Sequence, residues 1–390
     1  MIGMVNVALP RTLFDEEHEQ FRDAVREFVK REVLPNVEAW SAAGQVDRSL
    51  FAKAAESGLI GINAPEEFGG GGVDDFRYNA ILTEELARVG ATDVSMSICG
   101  ENDLVAPYLV AFGTPEQNER WLAPMIAGEK VGAIALTEPG TGSDLSGIAT
   151  TALPDGDDLV VNGAKTFISN GMLADFFVTA VRTDPASDRK GISLVVIDAD
   201  APGFARTGPL KKIGLSAQDT AELSFSDVRI PKSNVLGELG EGLANMRHNL
   251  PMERMSIAIT AMARMRATFE DALGYAKDRR AFGQRVIDFQ ANRFYLAELA
   301  TEIEVTQTFI DRCIVDVSNH ALDATTAAMA KWWATELHQR VIQRALQLHG
   351  GYGYMREYAV AHDYMDSRVA TIFGGTTEIM KEIIGRQLAR

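Results

Sequence analysis

Residues 135–147 read Ala-Leu-Thr-Glu-Pro-Gly-Thr-Gly-Ser-Asp-Leu-Ser-Gly and continue a short β-rich run at Val131–Leu136. Three glycines and a proline give this loop a tight backbone that another molecule can approach closely. Thr137 and Ser143 add hydroxyl groups, and such a loop can present N–H groups to a phosphate or to the edge of a ring. An ordinary glycine-rich turn between two strands has the same composition, so both interpretations stay open at this point.

The loop lies in a central region, about residues 131–240, whose pattern indicates a β-sheet. Its short β-rich runs are Val131–Leu136, Asp158–Val161, Phe176–Val181, Ile192–Ile197 and Ala221–Phe225. No convincing helix separates these runs, which favours an antiparallel sheet or barrel over a doubly wound α/β domain. Asn162-Gly163 predicts a hairpin turn, because both residue types tolerate positive φ.

Helices are expected before this central region. The apolar residues that recur at helical spacing near the start are Phe14, Phe21, Val25 and Phe28. Thr12 with Asp15 predicts a capping box at the start of this helix, and Pro35 ends the segment. Further helices are predicted at Tyr78–Val89 and Pro115–Met125.

Helices are expected after the central region as well, because the chain has no proline after Pro251 and is rich in helix-forming residues there. The predicted helices are Met252–Arg280, Phe289–Asn319, Ala324–Leu348 and Thr376–Leu388. This pattern is typical of a helical bundle. The sequence therefore predicts an α+β multidomain protein with an all-α N-terminal domain at 1–130, a middle antiparallel β-barrel at 131–240 and a C-terminal four-helix bundle at 241–390.

Charge and composition exclude some classes of partner. The chain has 38 Lys and Arg residues against 54 Asp and Glu residues, a formal charge of −16, which argues against nucleic acid or an anionic membrane as partner. Cys99 and Cys313 form no C-x-x-C pair and are interpreted as reduced, buried thiols. No apolar run reaches the length of about 18 residues that a membrane helix needs. Because the N-terminus also lacks the profile of a targeting peptide, we expect a cytoplasmic protein.

The whole loop string resembles the signature of the acyl-CoA dehydrogenase family, in which a hydrophobic residue precedes Thr-Glu-Pro-x-x-Gly-Ser-Asp. The match has one departure, because Thr141 stands where the family most often has Ala. Residues 165–170 read Lys-Thr-Phe-Ile-Ser-Asn and are similar to a second family string that contains Trp-Ile-Thr or Trp-Ile-Ser. The resemblance covers nearly the whole chain, and its tail is most similar to the long-chain subgroup. It implies an FAD-dependent enzyme of fatty acid β-oxidation that removes hydrogen from Cα and Cβ of an acyl-CoA thioester.

The resemblance implies that both strings line the flavin of FAD. Thr137 would lie near the redox-active side of the ring, and Ser143 between the flavin and the substrate. Phe167 replaces the more frequent Trp, which keeps an apolar ring face and loses an indole donor. The residues implied on this side of the cofactor are Ile134, Leu136, Thr137, Gly142, Ser143, Phe167, Ile168 and Ser169.

The family carries its catalytic glutamate at one of two positions. Medium- and short-chain types have it in a Tyr-Glu-Gly-Thr string near the C-terminus, where residues 373–376 of this chain read Phe-Gly-Gly-Thr. Long-chain and isovaleryl types have it on a helix before an arginine, as in Glu253-Arg254. The resemblance therefore implies Glu253 as the base, and the restricted backbone of Pro251 can begin or kink the helix and aim the carboxylate inward. A solvent-facing glutamate is the ordinary alternative.

The chemistry needs help from the site, because a thioester Cα–H is a weak acid and a carboxylate is a weak base. Burial against an apolar acyl chain should raise the pKa of the carboxylate, and hydrogen bonds to the thioester oxygen should stabilise the developing enolate. The resemblance implies one donor on the flavin ribityl chain and one backbone N–H, expected within residues 373–375, with hydride passing from Cβ to flavin N5. The residues implied at the substrate are Ser143, Pro251, Arg254, Gly374 and Gly375.

Two further strings are similar to family motifs for the rest of the cofactor. Residues 279–283, Arg-Arg-Ala-Phe-Gly, resemble a motif whose Arg and Phe reach the FAD of a neighbouring subunit, and a guanidinium suits a pyrophosphate. Residues 347–353, Gln-Leu-His-Gly-Gly-Tyr-Gly, would line the adenosine half, although glycines also fit a helix end. His349 is not expected to be catalytic. The residues implied on this side are Arg279, Phe282, Gln290, Gln347, Gly350, Gly351, Thr376 and Glu378.

The resemblance also implies a homotetramer, electron-transferring flavoprotein as the electron acceptor, and medium-to-long or branched acyl-CoA as the substrate. Two relatives of the same fold are alternatives: an acyl-CoA oxidase that uses oxygen, and nitroalkane oxidase, whose base is Asp. A non-catalytic FAD-bearing scaffold is a third alternative, because fold alone does not guarantee activity. The absence of G-x-G-x-x-G between a strand and a helix disfavours a nicotinamide enzyme, and no spacing typical of a metal site or a nucleophile elbow occurs.

Overall fold

A computed structural model of the chain describes residues 9–187 and 191–390. Within them the α-helices are α1 (Glu16–Phe28), α2 (Val37–Ala43), α3 (Ser49–Glu56), α4 (Arg77–Arg88), α5 (Thr92–Gly100), α6 (Ala106–Phe112), α7 (Pro115–Gln117), α8 (Ala123–Ile126), α9 (Gly242–Asp278), α10 (Gln290–Ser318), α11 (Ala324–His349), α12 (Ala359–Asp366) and α13 (Thr377–Leu388). The strands are β1 (Gly132–Ala135), β2 (Thr151–Asp155), β3 (Asp158–Ser169), β4 (Phe176–Arg182), β5 (Ile192–Asp198), β6 (Phe204–Thr207), β7 (Thr220–Pro231), β8 (Val235–Leu236), β9 (Arg280–Ala281) and β10 (Gln284–Arg285).

Contacts between residues group the chain into two compact units, which we call the sheet unit and the bundle unit. The sheet unit comprises Val25–Asp75 and Asp93–Glu253. The bundle unit comprises residues 9–24, Phe76–Thr92 and Arg254–Arg390. Because this grouping follows contacts and not chain order, the predicted domain boundaries at residues 130 and 240 stay a prediction.

The sheet is mixed, which corrects the predicted antiparallel barrel. Its strands follow the order β6-β7-β3-β2-β4-β5-β8, and β1 pairs with β4. Most pairs are antiparallel, but β4 runs parallel to both β1 and β2. In the chain the β2–β3 hairpin lies between β1 and β4, which gives the long connection that a parallel pair requires. No pair of described strands joins β6 to β8, so the strand order does not close into a barrel.

The hairpin between β2 and β3 turns at Gly156-Asp157 and not at Asn162-Gly163, so the predicted turn is wrong. Gly156 takes the first loop position with φ +64°, a conformation that suits glycine. Asn162-Gly163 lies inside β3, at an irregularity in its pairing with β7. Asn162 Nδ2 donates to Asp227 Oδ1 at 3.0 Å, and the N–H of Asp227 donates to Asn162 Oδ1 at 2.9 Å. The asparagine therefore joins two strands instead of closing a turn.

Both faces of the sheet are covered, which explains why β4 and β5 read as continuous apolar runs. Successive residues of β4 point to opposite faces. Phe176 joins a core with Tyr108 and Trp121 from the helical segments that precede the sheet. Phe177 joins the opposite core, where its ring lies 5.1 Å from the ring of Phe204. The site segments of this unit are thus attached to a buried, rigid sheet.

The bundle unit contains the later part of α9 with α10, α11 and α13, close to the predicted helices, and α12, which the sequence pattern did not predict. A buried carboxylate joins three of these helices. Asp363 of α12 accepts a hydrogen bond from Arg264 Nε of α9 at 3.1 Å, and His338 Nε2 of α11 lies 3.4 Å from it. Burial opposes ionisation, but the charges of His338 and Arg264 outweigh it and hold the pKa of Asp363 well below its ordinary range.

The predicted start of α1 is wrong by one helical turn. The helix begins at Glu16, and Asp15 caps it in place of the predicted pair of Thr12 with Asp15. Asp15 Oδ1 accepts from the N–H of His18 at 3.4 Å and lies 2.6 Å from its Nδ1. The side chain of Asp15 therefore satisfies a free N–H of the first turn, which is the role expected of a capping residue.

The predicted start of α9 is also wrong, because Pro251 lies inside the helix and not at its first turn. The helix begins at Gly242, well before the predicted Met252. Proline has no N–H, so the carbonyl of Arg247, four residues earlier, loses its usual helical donor. The 37-residue helix continues through this single missing bond.

Both cysteines are buried free thiols, as predicted. Burial raises the pKa of Cys313 to about 12. Within residues 9–187 and 191–390, no helix is both long enough and apolar enough to cross a membrane. In the same residues no three His, Cys, Asp or Glu side chains are arranged to hold a metal ion.

Candidate active site

Glu253, the predicted base, lies on the part of α9 that belongs to the sheet unit, and only 7% of its surface is exposed. Its Oε1 accepts a hydrogen bond of 2.9 Å from the hydroxyl of Tyr108 on α6. Tyr108 is fully buried in the core that covers the sheet. Burial and the charge of Glu253 raise the pKa of Tyr108 well above its ordinary value, so the hydroxyl stays protonated and remains a donor. The carboxylate is thus held by a fixed partner.

Nothing in the sequence pointed to Tyr108, which is 145 residues from Glu253 in the chain and lies in an apolar helix. A second buried polar residue, Asn249, occurs one helical turn before Glu253 on the same face of α9. Its Nδ2 has no hydrogen-bond acceptor among the described residues. Pro251, predicted at the substrate, is half-buried on the same helix.

Gly374 and Gly375, in the bundle unit, both have a left-handed backbone, with φ of +63° and +97°. A Cβ added to Gly374 would lie 2.4 Å from Cδ1 of Ile257 on α9. Such a distance forces a displacement, and the positive φ adds strain to any L residue with a side chain. Position 374 is therefore built for glycine, and a carboxylate there would need Ile257 to move.

The carbonyl groups of these glycines are bound by two buried cations. Arg254 Nε donates to the carbonyl oxygen of Gly374 at 3.4 Å, and Lys331 Nζ of α11 donates to that of Gly375 at 2.6 Å. In the part of the chain that the structure describes, no protein acceptor is bound by the N–H groups of Gly374, Gly375 or Thr376. All three residues are half-buried. The segment therefore offers three consecutive N–H donors to a ligand.

The glycine-rich loop after β1 is fixed by a buried ion pair that no sequence motif indicated. Lys165 of β3 is fully buried, and its Nζ donates to Glu138 Oε1 at 2.8 Å and to the carbonyl of Leu136 at 3.1 Å. Glu138 also accepts from the N–H groups of Ala149 and Thr150, at 2.8 and 3.0 Å. Burial lowers the pKa of Lys165 to about 8, and the attraction of Glu138 limits this effect. The pair holds the loop against β3.

Phe167 presents an exposed aromatic ring at the same place. Thr137 binds Thr166, the residue before Phe167. The Oγ1 of Thr137 donates to the carbonyl of Thr166 at 2.5 Å, and the carbonyl of Thr137 accepts from the Thr166 N–H at 3.0 Å. Phe167 is 69% exposed and has φ +60°, a costly conformation for an aromatic residue. Exposure and strain at one residue indicate a functional reason. Ile168 is buried, so only its backbone can touch a ligand, and Ser169 is half-buried.

The other predicted residues of this loop also leave room for a ligand. Ile134 and Leu136 are partly exposed and pack their remaining surface on the core. Gly142 and Ser143 are exposed, and a Cβ added to Gly142 would meet no atom within 4 Å. The loop surface is therefore open at its glycine-rich end.

Glu101, which no sequence motif singled out, joins both site segments of the sheet unit. It is fully buried in the π-helical turn Glu101–Val105. Its Oε2 accepts from the N–H of Gly132 at the start of β1, at 3.1 Å, and its Oε1 lies 3.4 Å from Asn170 Nδ2, just after β3. Burial raises the pKa of Glu101 to about 8, and the charge of Asp175 contributes. A protonated carboxyl group at neutral pH therefore ties the two segments together.

In the bundle unit, three predicted cofactor residues line one cavity of about 450 Å³: Arg279, Gly350 and Gly351. The Arg279 guanidinium lies 5.8 Å from the centroid of the Tyr352 ring in the same wall. A cation beside an aromatic ring and an open glycine backbone suits an anionic, ring-bearing ligand.

The remaining predicted residues of this side do not line that cavity: Phe282, Gln290, Gln347, Thr376 and Glu378. Phe282 is 95% exposed with φ +51°, and Gln290 and Gln347 are exposed. Thr376 caps α13, because its Oγ1 accepts from the N–H of Ile379 at 3.4 Å. Contacts of these residues with a cofactor stay a prediction.

The chain matches three family models, described as acyl-CoA dehydrogenase N-terminal domain at residues 15–129, middle domain at 133–228 and C-terminal domain at 240–389. It is 44% identical over 380 residues to the long-chain specific acyl-CoA dehydrogenase, mitochondrial, of Rattus norvegicus, covering 97% of this chain and 88% of that protein. The chain belongs to the acyl-CoA dehydrogenase family. Members of the family are FAD-dependent oxidoreductases. The family's fold confirms the predicted helical, β-sheet and helical order of domains.

Two other proteins are similar to this chain over almost their full length. The Caffeyl-CoA reductase-Etf complex subunit CarC of Acetobacterium woodii is 35% identical, over 97% of this chain and 99% of that protein. The crystal structure of acyl-CoA dehydrogenase from Geobacillus kaustophilus superposes with a TM-score of 0.95 and 45% identity, covering 98% of this chain and 100% of that chain.

The residues present fit the FAD of the family. A flavin needs a flat apolar contact and hydrogen-bonding groups at its ring edge, which an exposed Phe167 and the loop at Thr137 provide. A diphosphate and an adenosine need a cation and open backbone, which the cavity at Arg279 and Gly350 in the bundle unit provides.

Proposed function

We propose that this member of the family dehydrogenates medium-to-long or branched acyl-CoA thioesters, with Glu253 as the base that takes the Cα proton. The observation that carries the assignment is the environment of Glu253. It is a buried carboxylate with a fixed hydroxyl partner, and position 374, where other family members place the base, accepts only glycine without rearrangement. A buried, oriented carboxylate is what general-base catalysis at a carbon acid requires.

Negative charge that develops on the thioester oxygen needs donors that do not have to reorganise. The half-buried N–H groups of Gly374, Gly375 and Thr376 support this role, because they bind no acceptor among the described residues. Each such donor is worth about 3 kcal/mol in transition-state stabilisation in other enzymes. We assign the backbone donor for the thioester oxygen to this segment.

When bound, FAD supplies the acceptor for the hydride that leaves Cβ. The protein's part is to hold and orient the reactants. The loop at Thr137–Ser143 and the ring of Phe167 would hold the flavin, and Arg279 with Gly350 would hold the diphosphate and adenosine of the FAD of a neighbouring subunit. Apolar packing around a bound acyl chain would exclude water from the carboxylate.

The finer substrate class rests on the position of the base. Relative to family members with the base at position 374, a glycine there and a carboxylate at 253 change the shape of the pocket beside the thioester. The resemblance implies that this arrangement accompanies long or branched acyl chains. The relative from Rattus norvegicus is named long-chain specific, and CarC is named as a subunit of an Etf complex. We therefore propose electron-transferring flavoprotein as the acceptor, a homotetramer as the assembly and the cytoplasm as the location.

Exchange of Cα hydrogen tests the base directly. The FAD-bearing enzyme is incubated without an electron acceptor in ordinary water with an acyl-CoA deuterated at Cα, and loss of deuterium is followed by mass spectrometry. Wild type is expected to wash out the label and Glu253→Gln to leave it in place. Glu270→Gln, an exposed glutamate on the same helix, is the matched control. Washout by Glu253→Gln at the wild-type rate refutes the assignment.

Two other activities of the same fold are separated by simple measurements. An acyl-CoA oxidase would sustain turnover with oxygen as the sole acceptor, whereas the proposed dehydrogenase would need an added acceptor. A non-catalytic scaffold would leave the flavin oxidised with every acyl-CoA. Anaerobic titration with acyl-CoAs of graded length and branching decides this point and also identifies the preferred chain.

A further inference from the structure

We propose that Asn249 and Asn245 are positioning residues that hold a chain of water molecules along α9, and that this chain carries the proton taken by Glu253 to solvent. The inference rests on the proposed function, because it concerns the proton that the base removes from Cα. It gives a role to two buried amides that need not touch the substrate or the cofactor. Both residues belong, like Glu253, to the sheet unit.

A buried base needs a route for the proton that it has taken. Glu253 and its hydroxyl partner Tyr108 are both buried. Each turnover converts the carboxylate of Glu253 to a neutral carboxyl group, which must return its proton to water before it can act again. An acyl chain bound beside the carboxyl group excludes bulk water from the side of the substrate. While the acyl group is bound, the proton can leave only by a route inside the protein.

Two buried amides lead away from Glu253 at intervals of one helical turn. Asn245, Asn249 and Glu253 are spaced by four residues, so they share one face of α9. Asn245 and Asn249 are 8% and 5% exposed, and the Nδ2 of each has no hydrogen-bond acceptor within residues 9–187 and 191–390. Buried polar groups are normally paired, and an ordered water is the usual partner where the protein supplies none. The two amides therefore indicate bound water on this face of the helix.

The spacing of the three side chains suits a continuous chain of water. Side chains four residues apart on a helix face lie about 5–6 Å from each other. One water that forms hydrogen bonds of about 2.8 Å on both sides spans up to about 5.6 Å. A single intervening water is thus sufficient to connect the waters held at two successive side chains of this row.

The far end of the row reaches an exposed residue. A Cβ added to Gly237 would lie 2.9 Å from Nδ2 of Asn245, so the glycine is in contact with the amide. Gly237 is exposed and follows directly after β8. Because glycine has no side chain, none covers the amide of Asn245 from position 237. The row therefore runs from the proposed base to the protein surface.

The amides hold the waters, and the waters move the proton. Glu253 gives its proton to the first water, which passes one of its own protons to the next, and the last water passes one to solvent. Each water keeps two protons, and Glu253 regains its negative charge. An amide is suited to holding such a chain, because it both donates and accepts hydrogen bonds and carries no charge.

The test separates abstraction of the Cα proton from its exchange with solvent. The probe is a 3-thiaacyl-CoA deuterated at Cα, which the FAD-bearing enzyme cannot dehydrogenate because sulfur replaces the β carbon. The absorbance of the enolate stacked on oxidised flavin reports abstraction in rapid mixing. Loss of deuterium to ordinary water, followed by mass spectrometry, reports exchange. Asn249→Leu is expected to form the enolate within about threefold of the wild-type rate and to lose deuterium at least about 10-fold more slowly, because the deuteron returns to Cα.

Further variants complete the experiment. Asn245→Leu is expected to give the same result, so the test stands even where Asn249→Leu fails to fold. Asn249→Ser keeps a hydroxyl that binds water and is expected to keep the wild-type rate of exchange. Arg247→Met changes an exposed neighbour on α9 and is expected to keep both rates.

Loss of deuterium at the wild-type rate in Asn249→Leu, or in Asn245→Leu where only that variant folds, overturns the proposal. Glu253→Gln is expected to lose the enolate absorbance together with the exchange. Enolate formation by Glu253→Gln at the wild-type rate would overturn the assignment of the base itself, so the two failures are distinguishable.

Discussion

Tyr108 and Glu253 are joined by a hydrogen bond of 2.9 Å between two buried side chains. The hydroxyl belongs to an apolar helix packed on the sheet, so it cannot follow the carboxylate if the carboxylate moves. Because the pKa of Tyr108 is raised well above its ordinary value by burial and by the charge of Glu253, its hydroxyl stays protonated at neutral pH and remains a donor. The proposed base is thus oriented by a rigid donor, and a hydrogen bond from that donor favours the ionised form of a carboxyl group.

Tyr108→Phe removes only the donor and keeps the ring. A hydrogen bond to an ionised carboxylate favours the charged form, so its loss should move the acid limb of the kcat/KM profile to higher pH. The expected result is lower activity on the acid side and near-normal activity at higher pH. Tyr354→Phe, at an exposed tyrosine, is the control. An unchanged acid limb in Tyr108→Phe contradicts the orientation that we assign to this pair.

Gly374→Ala is expected to destabilise the protein by about 2–4 kcal/mol, from the left-handed backbone and from the close approach to Ile257. Ile257→Val removes the Cδ1 that lies 2.4 Å from the added Cβ, so the double variant should recover part of the loss. Chemical denaturation measures both. Gly385→Ala is the control: it lies in α13 with no atom within 4 Å of its added Cβ, and should be neutral or slightly stabilising. Equal changes in the free energy of unfolding for Gly374→Ala and Gly385→Ala would contradict the expected cost of the left-handed backbone and of the contact with Ile257.

Lys165→Met leaves Glu138 as a buried charge without its partner and should cost about 3–5 kcal/mol. Because the pair also fixes the loop at Thr137, the variant should purify with less FAD per chain, measured from the flavin absorbance. The double variant Lys165→Met with Glu138→Gln should be less destabilised than Lys165→Met alone. Arg229→Met breaks an exposed pair with Asp155 on the same sheet and should cost under about 1 kcal/mol. Full FAD content and stability in Lys165→Met would disprove this role.

The free energy of unfolding of Glu101→Gln should increase relative to that of wild type as pH rises. The folded pKa of Glu101 is raised from 4.5 to about 8, so between these values the folded protein binds more protons than the unfolded chain, and wild-type stability falls with increasing pH. Gln does not titrate and escapes this loss, which amounts to about 3–5 kcal/mol over the full window. Urea unfolding at about pH 5 and about pH 8 measures the difference. Glu119→Gln, at an exposed glutamate, should differ from wild type in free energy of unfolding by the same amount at both pH values. The same result for Glu101→Gln would contradict the raised pKa of Glu101.

The sequence indicated candidate site residues where a local string resembles a family motif. The loop at residues 135–147 and the pair Glu253-Arg254 are contiguous motifs, and their resemblance to family strings, more than their residue types, pointed to a cofactor and a base. The same holds for the helical and β-rich regions, because hydrophobic periodicity is a local property. Local patterns were therefore sufficient to predict the order of helical, sheet and helical domains.

What the sequence did not reveal depends on contacts between distant segments. Tyr108 and Lys331 are single residues in helices of ordinary composition, and their partners are far away in the chain. The hairpin was misplaced because Asn162 uses its amide to bind Asp227 across the sheet and leaves the turn to Gly156. The parallel pairing of β1 with β4 likewise follows from packing, which no local pattern encodes.

The most direct test of the central claim is rapid anaerobic mixing of Glu253→Gln with a saturating long-chain acyl-CoA, followed by the flavin absorbance. We predict that the variant binds FAD and acyl-CoA normally, while the flavin stays oxidised or is reduced at least about 10³-fold more slowly than in wild type. Reduction within about tenfold of the wild-type rate would contradict the assignment of Glu253 as the base.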